Sequence, residues 1–473
     1  MLNLSSAASM IGAEQRGADV EFDAVTTDSR AIARGDLFVA LRGERFDGHA
    51  FVAQALAQGA AAALVDQADP AWGEIPLLVV KDTRLALGQL AAQWRARHPV
   101  ALAAITGSSG KTSVKEMLHA ILRAAVGETA VLATAGNFNN DIGLPLTLLK
   151  LRESHRYAVI EMGMNHPGEI AYLSGLAKPT VALINNAQPA HLAGLGSIAA
   201  VARAKGEIFE GLAADGIAVI NADDPYAGLW RELAGDREVM TFGVSPSVGA
   251  ASAAIPVVTG AIAAEAAPTV SATFQLKPTG SELLVTTPHG KFAVTLQIPG
   301  EHNVRNALAA IAAALALGIG EQAIARGLAD FVPVQGRLLA KPGLHGAILI
   351  DDSYNANPGS MRAAIATLAL YPGSRALVLG DMGELGEQAP SLHREIGVYA
   401  KSAGIEKLFA LGELSRETAA GFGAGAQHFE YIEDLLHEVE NLLAPGVTVL
   451  VKGSRFMKME RVVKSLEKEA ACC

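Results

Sequence analysis

A chain of 473 residues is too long for a single hydrophobic core, and with half of those residues hydrophobic it has material for two or three. A formal net charge of -10 argues against nucleic acid as the main partner, since affinity for a polyanion is built on phosphate neutralisation, whereas a small phosphorylated ligand needs only a local positive pocket. The two cysteines, Cys472 and Cys473, are adjacent and cannot build a disulfide framework, no leader-like basic and apolar pattern opens the chain, and the longest apolar run (307–317) is too short to span a bilayer, so a cytoplasmic protein without membrane insertion is expected; a monomer is the default expectation, which the sequence itself does not decide.

Residues 1–83 read as a small α/β unit. Two strands (25–30 and 36–41) meet at a turn at Gly35, a loop covers 43–48, a helix 51–59, and strands 60–65 and 77–80 follow. Asp28-Ser29-Arg30 and the stretch from Arg42 to His49 put polar groups at strand ends, which suits either surface ion pairs or a binding site. An amphipathic helix over 83–97 ends at His98-Pro99, and a second domain runs from 84 to 332.

That domain opens on its most informative stretch. The apolar run 101–105 reads as a buried strand, stops at Gly107-Ser108-Ser109-Gly110, and passes through Lys111-Thr112-Ser113 into helical spacing at Val114, Met117, Leu118, Ile121 and Leu122. Strand, glycine turn, Lys-Thr and helix form a polyphosphate cradle, because the turn aims backbone N–H groups at anionic oxygens and the helix N-terminus adds partial positive charge. Lys111 is placed to reach the β/γ-phosphates of ATP and Thr112 to ligate Mg2+. The loop is a shortened form of the usual pattern, since the residue five before Gly110 is Ile105.

Strands at 131–133, 157–161, 180–185, 217–221 and 238–242 alternate with helices and predict a mainly parallel sheet, interrupted at 257–299 by an antiparallel insert. Glu161 ends one strand beside the loop and is a hard oxygen ligand suited to Mg2+. His191 follows another strand and Lys205 sits on the helix after it; ordinary loop and surface roles stay open for both. Asn137, Asn139 and Asn140 form a polar turn able either to hold a ligand or to brace itself.

A helix at 300–318 closes the domain, and a third, Rossmann-like α/β domain is expected over 333–473, with strands at 347–351, 376–380, 407–411 and 447–451 and helices at 360–370, 390–403 and 432–443. Three polar clusters fall on one rim of its sheet: Asp351 to Pro358, Gly380 to Glu384, and Lys452-Gly453-Ser454-Arg455.

Taken together, TGSSGKTS (106–113), GNFNNDIGLPLTLL (136–149), EMGMNHPGEI (161–170), AHLAGLGS with AKGEIF (190–209), GEHNVRNALAA (300–310), DDSYNANPGSM (351–361) and LGDMGELG (379–386) resemble the Mur ligases, ATP-dependent amide-forming enzymes of peptidoglycan synthesis. The resemblance spans essentially the whole chain and implies three domains: a UDP-sugar-binding N-terminal domain, a central ATP-binding domain of phosphate-loop type, and a C-terminal domain that receives the incoming dipeptide. NFNN, MGMNHPGEI and SYNANP point to the member whose small-molecule substrates are UDP-MurNAc-tripeptide and D-Ala-D-Ala. A third-residue-adding ligase or folylpolyglutamate synthase is the alternative within the family, opposed by the lack of a DNPR-type motif, and a nucleotide-dependent switch is the alternative outside it.

By position, the resemblance implies that Gly107 to Ser113 hold the ATP phosphates and that Thr112, Glu161, His191 and a carbamylated Lys205 serve the metal. Asn303 and Asn306 would meet adenine, and Arg337 and Asp352 the rest of the nucleotide. Ser29 and Arg30 would hold the uridine, while Asn137, Asn139, Asn140, Tyr354, Asn355, Asn357, Lys452, Ser454 and Arg455 would contact substrate. Where the family usually has TGTNGKT, this chain has TGSSGKT, which keeps small polar side chains.

Overall fold

The structure is a computed structural model that describes residues 1–44, 46–190, 192–244 and 267–468; His191, Cys472, Cys473 and the start of the expected insert (257–266) lie outside the described residues. Three main sheets organise it. The first orders its strands Glu14–Arg16, Leu77–Val79, Ala62–Val65, Asp36–Val39 and Ala24–Thr26. Ala24–Thr26 and Asp36–Val39 pair in parallel, with Val25 opposite Leu37, so the chain between them crosses back along the sheet instead of simply reversing at Gly35. Every residue of Asp36–Val39 and Ala62–Val65 is buried, as strands covered on both faces require. The expected loop at 43–48 contains a small hairpin, Arg42–Gly43 against Phe46–Asp47, and Arg42 ties it to Asp66 at 2.8 Å.

The helix Thr83–Ala96 begins at Asp82, whose carboxylate accepts from the N–H groups of Arg84 (2.8 Å) and Leu85 (2.9 Å). Its apolar face carries Ala86, Leu87, Leu90, Ala91 and Trp94 into a core that runs from Leu4, Phe22 and Leu37 to Leu144, Ile160 and Leu173. Arg84 is paired with Asp141, and Trp94 donates to the Leu151 carbonyl at 3.1 Å, so this helix belongs to the first two domains at once.

Among the described residues the central sheet has nine strands. In spatial order the parallel ones are Val131–Ala133, Tyr157–Glu161, Ala101–Thr106, Val181–Ile184, Ile217–Asn221, Glu238–Val244 and Val270–Lys277. Ile105 lies opposite Glu161 and Thr106 opposite Ile184, which puts three strand ends beside the phosphate loop. The antiparallel segment extends this sheet instead of interrupting it: Val270–Lys277 pairs in parallel with Glu238–Val244, and only then do Gly280–Thr287 and Gly290–Leu296 turn antiparallel. Alternate residues Leu283, Val285, Val294 and Leu296 face a core shared with helix Glu301–Ala316.

The C-terminal sheet orders Leu339–Pro342, Ile348–Asp352, Val447–Lys452, Ser374–Gly380, Lys407–Leu411 and Ala426–Phe429, parallel except for the first. No helix among the described residues is long and apolar enough to cross a membrane.

Candidate active site

One cavity of about 1430 Å³ lies where the C-terminal ends of the central strands meet the third domain. Its floor is the phosphate loop. Gly110 has φ 79°, and a Cβ there would stand 2.3 Å from Asn306 Oδ1 and 2.6 Å from Asn185 Nδ2, so only glycine fits. Helix Lys111–Val126 starts directly after it, aiming its unsatisfied N–H groups at the cavity. The Lys111 ammonium donates to the Gly107 carbonyl at 2.7 Å; burial lowers its pKa, the Glu161 carboxylate opposes that, and the Arg337 cation adds to it.

Glu161 is 2 % exposed and held at both oxygens, Oε2 accepting from the Thr112 hydroxyl (3.0 Å) and Oε1 from Asn139 Nδ2 (2.7 Å). Its own N–H donates to Thr134 Oγ1 at 3.0 Å. Arg337 reaches across from the third domain to donate to Thr112 Oγ1 at 3.1 Å, while its guanidinium lies 4.4 Å from the Tyr354 ring. Lys205, on helix Ile198–Gly206, is 2 % exposed, and burial followed by the Lys111 cation drives its pKa well below that of an ordinary lysine. No side-chain hydrogen bond or ion pair joins its amine to any other described residue.

On the opposite wall Asp352 and Lys452 pair at 2.7 Å, and Lys452 also donates to the Asn355 carbonyl at 2.8 Å. Burial pushes Asp352 up and Lys452 down, and the contact between them draws each back toward its charged form. His302, at the start of Glu301–Ala316, is held neutral, its pKa pushed down to about 4 by burial and, less, by Lys452.

The cavity gathers most residues named from sequence, including Ser108, Ser109, Ser113, Asn137, Asn140, Tyr354, Asn355, Ser454 and Arg455. Ser29, Arg30, Gly107 and Lys205 are not part of its lining; Arg30 instead pairs with Asp28 at 2.8 Å on the first domain. Several asparagines are engaged by neighbouring protein groups. Asn140 Oδ1 accepts from Gly143 N–H (2.9 Å), and Asn306 accepts from Asn185 Nδ2 (2.9 Å) while Asn303 donates to the Pro299 carbonyl (2.8 Å).

Sequence reasoning passed over Asn185, Asn186, Gln188, Asp223, Asp224 and His302, all of which line the cavity. A signal was available in Asn185-Asn186 and Asn221-Ala222-Asp223-Asp224, each a polar run at the end of an apolar strand. Asp224 accepts from the Ala187 N–H at 2.9 Å and Asn221 donates to the Asn185 carbonyl at 2.8 Å, so these runs shape the loop that backs the phosphate site.

Comparison with known proteins gives matches along nearly all of the chain. Residues 21–95 match the Mur ligase family catalytic domain, 105–314 the Mur ligase middle domain, and 336–455 the Mur ligase glutamate ligase domain. The UDP-N-acetylmuramoyl-tripeptide--D-alanyl-D-alanine ligase of Escherichia coli K12 is 45% identical, covering 100% of this chain and 99% of that protein. A solved UDP-N-acetylmuramoylalanyl-D-glutamyl-2,6-diaminopimelate--D-alanyl-D-alanyl ligase from Acinetobacter baumannii superposes with a TM-score of 0.85 at 37% identity, covering 98% of this chain and 97% of that one. The MurF ligase of Thermotoga maritima, solved in complex with ADP, gives a TM-score of 0.78 at 25% identity, covering 93% and 96%.

Proposed function

This chain belongs to the Mur ligase family, and from that premise we propose how its residues divide the work of joining D-Ala-D-Ala to UDP-MurNAc-tripeptide at the expense of ATP. The enzyme is an ATP-dependent amide ligase of peptidoglycan synthesis. The observation that carries the assignment of roles is the meeting, in one cavity, of the phosphate loop and Glu161 with Arg337, Asp352 and Lys452 from a different domain.

The N–H groups of Gly107 to Ser113 cradle the nucleotide phosphates, and the Lys111 cation lies against the oxygens of the transferred phosphoryl. Asp352 and Lys452 orient the nucleotide from the third domain. Thr112 Oγ1 and the Glu161 carboxylate, 3.0 Å apart, are a hard-oxygen pair that fits Mg2+, an ion that keeps several waters and takes its other ligands from phosphate. When bound there, Mg2+ supplies charge neutralisation on the phosphoryl group. On the family resemblance, a metal role is also proposed for a carbamylated Lys205 and for His191. An uncharged buried amine is the form that attacks CO2, its nitrogen bonding to carbon with loss of a proton, and the product replaces a cation by a carboxylate-like group.

The tripeptide's terminal carboxylate attacks the γ-phosphorus, ADP leaves, and Arg337 with Lys111 offsets the charge that develops. The amine of D-Ala-D-Ala then attacks the acyl carbon and phosphate departs. Walls from two domains keep water from the acyl phosphate until the amine arrives. Following the Acinetobacter relative, we assign diaminopimelate as the third residue of the tripeptide, and we place the reaction in the cytoplasm with a monomer as the working unit.

A phosphate-release assay tests this reading. Turnover is expected only with ATP, UDP-MurNAc-tripeptide and D-Ala-D-Ala together, and faster with diaminopimelate than with lysine at the third position. Release that ignores both acceptors would instead identify a nucleotide switch.

A further inference from the structure

Ser109 stands out in the phosphate loop because side chains outside the loop engage all of its polar groups. Its N–H donates to Asn186 Oδ1 (2.9 Å), and its carbonyl accepts from Asn185 Nδ2 (2.9 Å) and Asn186 Nδ2 (3.1 Å). Its hydroxyl donates to Gln188 Oε1 at 2.9 Å and accepts from Asn357 Nδ2 at 3.0 Å. Asn357 has no freedom to turn its amide around, since its Oδ1 caps helix Pro358–Leu368 by accepting from the Ser360 N–H at 2.8 Å. Gln188 also fastens Ser108, its N–H donating to Ser108 Oγ at 2.9 Å and its carbonyl accepting from that hydroxyl at 3.2 Å. Behind the Gln188 amide lies Gly359, so close that a Cβ there would stand 2.2 Å from Oε1.

Asn357 and Gly359 belong to the third domain, whereas Ser108, Ser109 and Gln188 belong to the central one. A contact between domains therefore ends on the loop itself, two residues before Lys111. We propose that Asn357, Gly359 and Gln188 are positioning residues forming a latch that couples docking of the third domain to the shape of the phosphate loop. They act on the loop through the Ser109 hydroxyl, which donates to Gln188 and accepts from Asn357. The latch rests on the ligase reading above only in that the loop holds a nucleotide. If docking improves the loop for nucleotide, nucleotide must favour docking by the same factor.

Three substitutions separate a latch from simple structural support. Ser109→Ala removes the hydroxyl. Asn357→Ser keeps a good helix cap but is too short to reach Ser109. Gly359→Ala, inside a helix, raises helix propensity while pushing the Gln188 amide off Ser109. ADP affinity by calorimetry without acceptor substrates, steady-state kcat and KM for ATP, and the thermal unfolding midpoint are measured for each full-length variant.

Each single variant is expected to weaken ADP binding about tenfold, or ~1.4 kcal/mol, and to raise KM for ATP more than it lowers kcat. The Ser109→Ala/Asn357→Ser double variant should be no weaker than the worse single one, and Gly359→Ala should lose affinity with its unfolding midpoint unchanged or raised. Additive losses in the double variant, unchanged ADP affinity in Gly359→Ala, or affinity that only follows stability would each overturn the latch. A wild-type protein that binds ADP yet joins no substrates would overturn the ligase reading and leave this coupling standing.

Discussion

At the scale of single residues, a place in the cavity was legible where backbone and side chain serve the same end. Gly110-Lys111-Thr112 could be read directly, because a glycine turn followed by a cation and a hydroxyl at a helix start has few other uses. Asn303 and Asn306 were legible as site residues, but the network that absorbs their amides was not, since it depends on Asn185 from a distant segment. The residues around Lys205 leave a surface role open and only the family resemblance singles it out; the structure buries it at 2 % exposure. A buried amine to which no other described residue offers a side-chain hydrogen bond or ion pair is unfavourable for folding, so its retention calls for a functional reason. Lys205→Met, similar in length and apolar, is expected to raise the folding stability of the protein in metal-free, CO2-depleted buffer by ~1–3 kcal/mol and to abolish ligation. Denaturant unfolding beside a turnover assay checks this, and a Met variant that is less stable, or still active, would contradict it.

Elements with an apolar strand or an amphipathic helix were found within a residue or two, as at Tyr157–Glu161, Ile217–Asn221 and Lys407–Leu411. Those missed carry weak periodicity: the edge strands Leu339–Pro342 and Ala426–Phe429 have no fully buried residue, so tertiary pairing alone defines them. The loop after strand Ser374–Gly380 is fixed by His393 of helix Ala389–Ser402, whose Nε2 accepts from the Met382 N–H at 2.9 Å and whose Nδ1–H donates to the Ala389 carbonyl at 2.7 Å. Burial holds the pKa of His393 below the ordinary 6.5, although that hydrogen bond and the carboxylates of Asp381 and Glu417 oppose it. Between the folded pKa and 6.5 the unfolded chain binds more protons, so stability falls as pH drops through that window. His393→Gln retains a donor and an acceptor but cannot titrate, and should flatten the loss of stability between pH 7 and 5 by at most ~1.4 kcal/mol per pH unit. Urea midpoints across that range decide it, and an unchanged slope would show that His393 does not carry the linkage.

For the whole molecule, the order of domains could be read from the motifs, but the way they join could not. The helix Thr83–Ala96 is buried against both of its neighbours, while Arg337 to Thr112 and Asn357 to Ser109 cross from the third domain to the central one. We therefore expect motion chiefly about that second joint, with saturating ATP and UDP-sugar shifting the population toward the docked form. Small-angle scattering should show the radius of gyration falling on addition of both ligands, and an unchanged radius in saturated protein would mean that the site is preformed. The central claim is that the two substrates are joined through an acyl phosphate, and isotope transfer tests it most directly. With the terminal carboxylate of the tripeptide labelled with 18O, ATP and D-Ala-D-Ala should yield inorganic phosphate carrying one labelled oxygen per ligation, because the oxygen that attacks the γ-phosphorus leaves with the phosphate. Phosphate released without label, at the same rate as the pentapeptide forms, would contradict the account.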